Sequence, residues 1–234
     1  MKNKPFFYAV FISSMIISCS EDSSQKEETA KTTKTTEITE KTPSVSALKP
    51  INKRDLPSTV KPEGTLVYAG GWNDAEGEHV VTLSYTTSSR EDTEYEIYYE
   101  SKRLFAHHYL MDKGSGKYNE TWKIREFVND CEFDLTAEFI GSSIQLSDEN
   151  KNGIAEVWTL YNTACRSDVS PCAMKLIMYE GAQKYAMRGS MKINLPDGSM
   201  GGEYKFDDAF LQSDKSIQEF AKKIWNANKE ENLQ

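Results

Sequence analysis

The sequence predicts a mostly β fold: an antiparallel meander, sandwich-like, forming a single domain closed by one C-terminal amphipathic helix. Three observations lead there. Short runs of alternating apolar and polar residues recur along the chain, which is the period of a half-buried strand. Glycine-bearing turns separate them at short spacing, with no helical periodicity in between. Helical spacing enters only near the end of the chain.

Residues 65–69 and 79–86 flank Gly70-Gly71 and Gly77 and read as strand, loop, strand. In 94–100, Tyr95, Ile97 and Tyr99 alternate with Glu94, Glu96 and Glu100. The run 104–110 follows a basic turn at Lys102-Arg103. Phe133, Leu135, Ala137 and Phe139 alternate with Glu132, Asp134, Thr136 and Glu138, giving one dry and one wet face. Runs 155–161, 174–179 and 185–193 complete the series, with Gly181 and Gly198 in the turns. No repeat is regular enough for a propeller. Ser213 and Asp214 are good N-cap residues, and Ile217, Phe220, Ala221, Ile224 and Trp225 then follow helical spacing. Their apolar stripe is expected to pack on the sheet.

The first residues have the layout of a secretory signal. Lys2 and Lys4 precede an apolar run, 6–17, broken by Ser13 and Ser14 and too short to span a bilayer. The run ends in Ile16-Ile17-Ser18-Cys19, which resembles a bacterial lipobox. That resemblance implies removal of 1–18 and lipidation of Cys19, whose acyl chains hold the protein to a membrane at about 0.8 kcal/mol per buried methylene. Ser20-Glu21-Asp22 resembles the acidic surface-export signal of Bacteroidota lipoproteins. It implies the outer membrane with the domain facing outward; the periplasmic face is the alternative. Residues 19–47 are Ser, Thr, Lys and Glu with little apolar content and read as a disordered tether. The globular domain is expected over 48–228, with 229–234 a flexible tail.

The chain carries a formal charge of −8, and loss of Lys2 and Lys4 makes it more negative. No Lys/Arg cluster marks a face, which argues against nucleic acid as a partner. The same charge opposes docking on anionic lipid, so the membrane is met through the anchor. Cys131, Cys165 and Cys172 remain once Cys19 is assigned. In an oxidising compartment three cysteines allow one internal bond and leave one thiol over. Cys165–Cys172 closes a short loop containing Pro171; Cys131–Cys165 joins the start of one strand to the end of another.

One stretch spells out site chemistry. In 148–156, Asp148, Asn150 and Asn152 set oxygens at alternate positions, followed by Gly153, the backbone carbonyl of Ile154 and the carboxylate of Glu156. Calcium takes six to eight oxygens at roughly 2.4 Å, and alternate positions in a tight turn aim at one point. An EF-hand needs Glu at position twelve and flanking helices; Thr159 stands there, in a strand-like run. The expected ion is therefore a structural Ca²⁺ in a short loop between strands. The competing reading is an empty hairpin, since Asn152-Gly153 is itself a strong turn signal. His107 and His108 are adjacent on a strand and point to opposite faces, and His79 opens another, so they do not make a zinc site. Asp130, Asp134 and Asp168 are carboxylates that could gather near the loop and serve glycoside chemistry. Surface solvation is the plainer reading of each, and no catalytic residue is assigned. Trp72, Trp122, Trp158 and Trp225 are expected mostly in the core.

Several motifs together resemble a family. They are Cys131-Glu132-Phe133-Asp134-Leu135, the run from Leu146-Ser147-Asp148 to Glu156-Val157, and Cys165-Arg166-Ser167-Asp168-Val169-Ser170-Pro171. Met174 to Gly181, Lys184-Tyr185-Ala186-Met187-Arg188-Gly189 and Leu104-Phe105-Ala106-His107-His108-Tyr109 join them. The resemblance is to Bacteroidota lipoproteins known as surface polysaccharide biosynthesis proteins. It implies a part in making or displaying surface polysaccharide, with the polysaccharide or its assembly proteins as partners, and names no reaction. It also implies the Cys131–Cys165 pair, from which Cys172 departs. Ion and disulfide are then expected to brace one corner. The rival expectations are a glycan-active enzyme using carboxylates near the loop, and a plain surface adhesin or binding module.

Overall fold

The computed structural model describes residues 44–232. The signal segment 1–18, the lipidation at Cys19 and the tether as far as residue 43 lie outside the described residues. Hairpin follows hairpin. The first sheet holds β1 (Lys49–Pro50), β2 (Thr65–Asn73), β3 (Glu78–Asp92), β4 (Ile97–Met111) and β5 (Tyr118–Cys131) in sequence order, all antiparallel. The second begins with β6 (Asp134–Ser147), β7 (Glu156–Arg166), β8 (Ala173–Glu180) and β9 (Gln183–Ser190). A separate hairpin, β10 (Lys192–Leu195) with β11 (Gly198–Gly201), intervenes before β12 (Tyr204–Phe206) returns to pair with β9. Gly189 permits that return: a Cβ there would lie 1.9 Å from the Glu203 carbonyl oxygen. The chain ends its described course in α1 (Asp208–Gln212) and α2 (Lys215–Asn228).

The fold class is the mostly β antiparallel meander that the alternation predicts, and its layers follow from parity. On β7, Val157 and Tyr161 face the first sheet; Trp158 and Leu160 face the helices. On β8, Ile177 and Tyr179 take the first side, and Met174, Leu176 and Met178 the second. One core therefore lies between the sheets, with Trp72, Val81, Leu83, Ala106, Trp122 and Ile124 opposite the residues of β7 and β8. The other lies between the second sheet and the helices, where Ile217, Ala221, Ile224 and Trp225 dock the stripe read from helical spacing. All four tryptophans are buried.

Several expectations are corrected. Lys102-Arg103 is no turn: β4 runs unbroken from Ile97 to Met111 because every residue from Ile97 to Leu110 pairs with β3. The turn falls earlier, where Asp92 Oδ1 accepts from the N–H groups of Glu94 and Tyr95, and Glu96 takes a φ of 55°. The strand read over 185–193 stops at Ser190, and β10 starts a new hairpin. β5 was not expected, since its charged outward face masks the alternation of Trp122, Ile124 and Val128. Ser213 caps the end of α1, and Asp214 opens α2 without a side-chain cap bond. The tether span to residue 47 contributes Val45 to the core, and Ser46 Oγ accepts from the N–H of Asn73 at 2.8 Å. The tail is not free either: Glu230 bridges Lys192 in parallel, and the N–H of Glu231 donates to the Lys192 carbonyl at 2.8 Å.

Trp225 is wholly buried, and its indole N–H donates to the Gly202 carbonyl at 3.2 Å, tying α2 to the loop before β12. Trp225→Ala is expected to destabilise the domain by about 3–5 kcal/mol, the range for a large aromatic removed from a packed core. Urea unfolding followed by fluorescence measures it; a loss under about 1 kcal/mol would mean that α2 is not part of the cooperative core.

Candidate functional site

Polar side chains collect at one end of the sandwich, where three turns meet. The β2–β3 turn carries Asp74 and Glu76, the β6–β7 loop carries residues 148–156, and the β8–β9 turn carries Glu180. Backbone bonds hold the first two together: the N–H of Ala75 donates to the Gly153 carbonyl at 2.9 Å, and the N–H of Ala155 to Asp74 Oδ2 at 3.0 Å. Glu76 closes on the third turn, since a Cβ at Gly181 would lie 3.4 Å from its Oε1.

Asp74 heads a buried chain of hydrogen bonds. Its Oδ1 is 2.7 Å from His79 Nε2, His79 Nδ1 is 3.0 Å from His108 Nε2, and His108 Nδ1 is 2.5 Å from Thr121 Oγ1. With both rings neutral the protons can be assigned by elimination. Asp74 only accepts, so His79 Nε2 donates; His79 Nδ1 then accepts from His108 Nε2, and His108 Nδ1 accepts from the Thr121 hydroxyl. The rings are stacked. Trp72 lies 4.8 Å from His79 with 3° between planes, Trp122 lies 4.9 Å from His108, and Tyr179 continues the stack 4.2 Å from Trp122. The sequence puts these histidines apart, at 79 and 108. They meet because His108 pairs with Val81, diagonal to His79. That register is set by the full length of the β3–β4 hairpin, which local alternation did not reveal.

The order carboxylate, imidazole, imidazole, hydroxyl resembles a nucleophile with its base, and Thr121 is exposed at a bulge in β5. The electrostatics point elsewhere. Burial, and then the neighbouring His79, push His108 down to about 3, whereas a useful base is poised near neutrality. Burial alone would raise the Asp74 carboxyl, but the bonds from His79 and from the Ala155 N–H prevail and hold it at about 2. The chain of bonds is a strut that satisfies polar groups inside the core. Asp74, Glu76 and His79 also bring one ligand atom each within 4.8 Å and could hold a metal. Both Asp74 oxygens already accept bonds, however, from His79, Trp72 and the N–H groups of Glu76 and Ala155. His107 points the other way, its Nδ1 2.6 Å from Glu120 Oε2.

The loop 148–156 closes on itself. Gly153 and Lys151 both take left-handed φ values, 80° and 59°. The N–H of Gly153 donates to Asp148 Oδ2 at 3.1 Å, while Asp148 Oδ1 is buried with no partner. Asn150 and Asn152 Oδ1 accept from the N–H groups of Asn152 and Ile154. Glu156 turns inward and is fully buried; it accepts from the Ser147 hydroxyl at 2.6 Å and from the N–H groups of Glu149 and Asn150. Burial, more than any neighbour, raises its carboxyl. The carboxylate beside the asparagines is Glu180, which sequence spacing could not find: its Oε1 lies 2.7 Å from Asn150 Nδ2 and 2.7 Å from Asn152 Nδ2. It arrives from β8, whose last residue pairs with Glu156.

The disulfide joins Cys131 to Cys165, with Cα atoms 5.6 Å apart, and leaves Cys172 a buried free thiol. It does not share a corner with the loop. Ser147 pairs with Glu156 at one end of the β6–β7 pair, and Asp134 pairs with Arg166 at the other, ten steps along β7, which at ~3.3 Å per residue is roughly 33 Å. Asp134 and Asp168 line a groove at that far end, and Asp130 pairs with Arg90. The carboxylates expected near the loop are thus remote from it. No protein-family model, curated protein or solved structure matches the chain.

The strut sets a pH dependence. His108 stays neutral in the fold down to about 3 but takes a proton near its ordinary 6.5 when unfolded. The unfolded state therefore binds more protons below 6.5, and stability falls with pH by up to about 1.4 kcal/mol per unit. Asp74 adds to the loss only below its ordinary 3.8. Urea unfolding from pH 7 to pH 4 is expected to show this slope in the wild type and a flatter one in His108→Gln; equal slopes would contradict the assignment.

Proposed function

We propose that the chain is an outer-membrane lipoprotein, anchored through Cys19 with its β domain facing outward, that supports the biosynthesis or display of surface polysaccharide without catalysing a step. The observation that carries this reading is where the resemblance motifs fall. Three of them occupy bracing positions: Cys131 and Cys165 in a disulfide, 148–156 in a closed loop, and 165–171 in a clamp on the segment after α2. The disulfide suits an oxidising compartment. Expected partners are the membrane, through the lipid, and the polysaccharide or its assembly proteins. Deleting the gene is expected to alter the amount or surface retention of the polysaccharide, read by glycan staining of intact cells. Unchanged glycan would favour a plain adhesin.

The loop is proposed to hold a structural calcium ion. Asp148, Asn150, Asn152 and the Ile154 carbonyl keep the roles given by spacing, and Glu180 takes the carboxylate place of Glu156. One feature supports the fit: Asp148 Oδ1 is buried without a partner; Asn150 and Asn152 turn Nδ2 toward Glu180 and would have to turn their oxygens to the ion on binding. The bound ion would neutralise the carboxylates and tie β8 to the loop. Calcium at a hundredfold its Kd is expected to add about 2.7 kcal/mol, hence a melting shift of roughly 5–10 °C for a domain this size. Glu180→Gln is expected to remove that shift. Glu156→Gln is expected to lower the melting temperature with and without calcium, since it breaks bonds the loop makes to itself. An unchanged wild-type melt at millimolar calcium rules the ion out.

A further inference from the structure

We propose that Arg166 and Cys172 form a carboxylate-binding site which the chain fills with its own Glu231, and for which a small zwitterion, a carboxylate bearing a cationic group, competes. The site lies at the disulfide end, away from the proposed calcium loop. Three donors converge on one carboxylate: Arg166 Nη2 pairs with Glu231 Oε1, the N–H of Cys172 reaches Oε2 at 3.0 Å, and the Cys172 thiol reaches Oε1 at 3.2 Å. A guanidinium with two further donors is how proteins recognise carboxylates. The loop between β7 and β8 sets them up. Arg166 Nη1 donates to the Ser170 carbonyl, and Asp168 Oδ1 accepts from the N–H of Ser170 at 2.9 Å, so the turn is fixed around the guanidinium. Burial first, and Glu231 second, push the Cys172 thiol up to about 11, so it keeps its proton and donates.

Apart from that carboxylate, the occupant is held by its backbone. The backbone of the segment after α2 meets β10 through the N–H of Lys192 donating to the Lys229 carbonyl and the N–H of Glu231 donating to the Lys192 carbonyl. Such short edge pairing opens at low free-energy cost. Beside it runs a groove of about 900 Å³ with Asp134, Glu138 and Asp168 in its walls, within the usual range of small-ligand sites. Asn162, also in the wall, has a buried Oδ1 with no partner. Acidic walls repel a plain anion. A ligand whose carboxylate replaces Glu231 gains from carrying a cation for those walls.

Alkylation of Cys172 by iodoacetamide, on the full disulfide-bonded chain, tests this. Reaction is expected to be slow in the wild type and about tenfold or more faster in Glu231→Gln, the consequence of losing a charge-assisted cover. The zwitterion 4-aminobutyrate is expected to restore protection of Glu231→Gln saturably, where sodium chloride at equal ionic strength does not. Glu230→Gln, whose carboxylate meets Lys192 and Asn194 instead, is expected to leave the rate unchanged, which separates site opening from general loosening. A raised melting temperature of Glu231→Gln with 4-aminobutyrate reads the same binding without the thiol. Faster alkylation with neither saturable protection nor a melting shift would make Glu231 a structural clamp only and overturn the proposal. So would an unchanged rate in Glu231→Gln.

Discussion

The carboxylate of Asp74 is the point at which the two sheets are tied. It belongs to a turn of the first sheet, yet it accepts from the N–H of Ala155 in the loop that leads into β7 of the second, from the Trp72 indole and from His79. Its side chain is 1 % exposed. A buried charge of this kind is costly unless every lone pair is engaged, and here the partners come from both sheets. The arrangement is therefore cooperative. Separating the sheets at this end would strip Asp74 of the Ala155 bond and leave a half-paired charge in the core. The histidine strut depends on the same carboxylate, because Asp74 fixes the His79 tautomer and His79 in turn fixes that of His108.

The far end is held by covalent means. Cys131 closes the last strand of the first sheet onto β7 of the second, with the partners 34 positions apart; a loop of that size is constrained by about 3–4 kcal/mol in the unfolded chain. The strands between the two ends are long, 14 residues in both β5 and β6. Long strands paired on one side are prone to slip. A polar anchor at one end and a disulfide at the other fix the register of both.

The fold class was legible in the chain because burial on the second sheet follows parity so strictly. Val157 and Tyr161 go to one core and Trp158 and Leu160 to the other; the apolar run marks a strand, and the structure says which core each residue joins. The stripe of α2 was legible for the same reason. What local pattern could not carry is register. Lys102-Arg103 reads as a turn until the pairing of β4 with β3 is known, and His79 and His108 become partners only through that pairing. β5 is masked in the sequence because Glu120, Lys123 and Arg125 crowd its outward face and Glu126 interrupts the inward one. The loop 148–156 was visible as a loop. Glu156 took the carboxylate place by spacing alone, whereas Glu180 reaches the loop through space from the neighbouring hairpin.

The charge at the turn end explains why that exchange matters. Asp148, Glu156 and Glu180 converge on one loop, with Glu76 beside Gly181. Glu156 relieves part of the crowding by facing inward, where N–H groups and a hydroxyl surround it. Burial raises its carboxyl, and the proximity of Glu180 raises it further. A second carboxylate pointing the same way would compound that cost. Glu180 instead lies outside, against two amides whose Nδ2 groups satisfy only one of its oxygens. Asp148 Oδ1, buried and unpaired, is the complementary deficit, since an orphaned carboxylate oxygen costs about 1–3 kcal/mol or more. The proposed calcium ion, bound by Asp148 and Glu180, would meet both deficits at once. The N–H groups of Glu149, Asn150, Asn152, Gly153 and Ile154 are already committed within the loop.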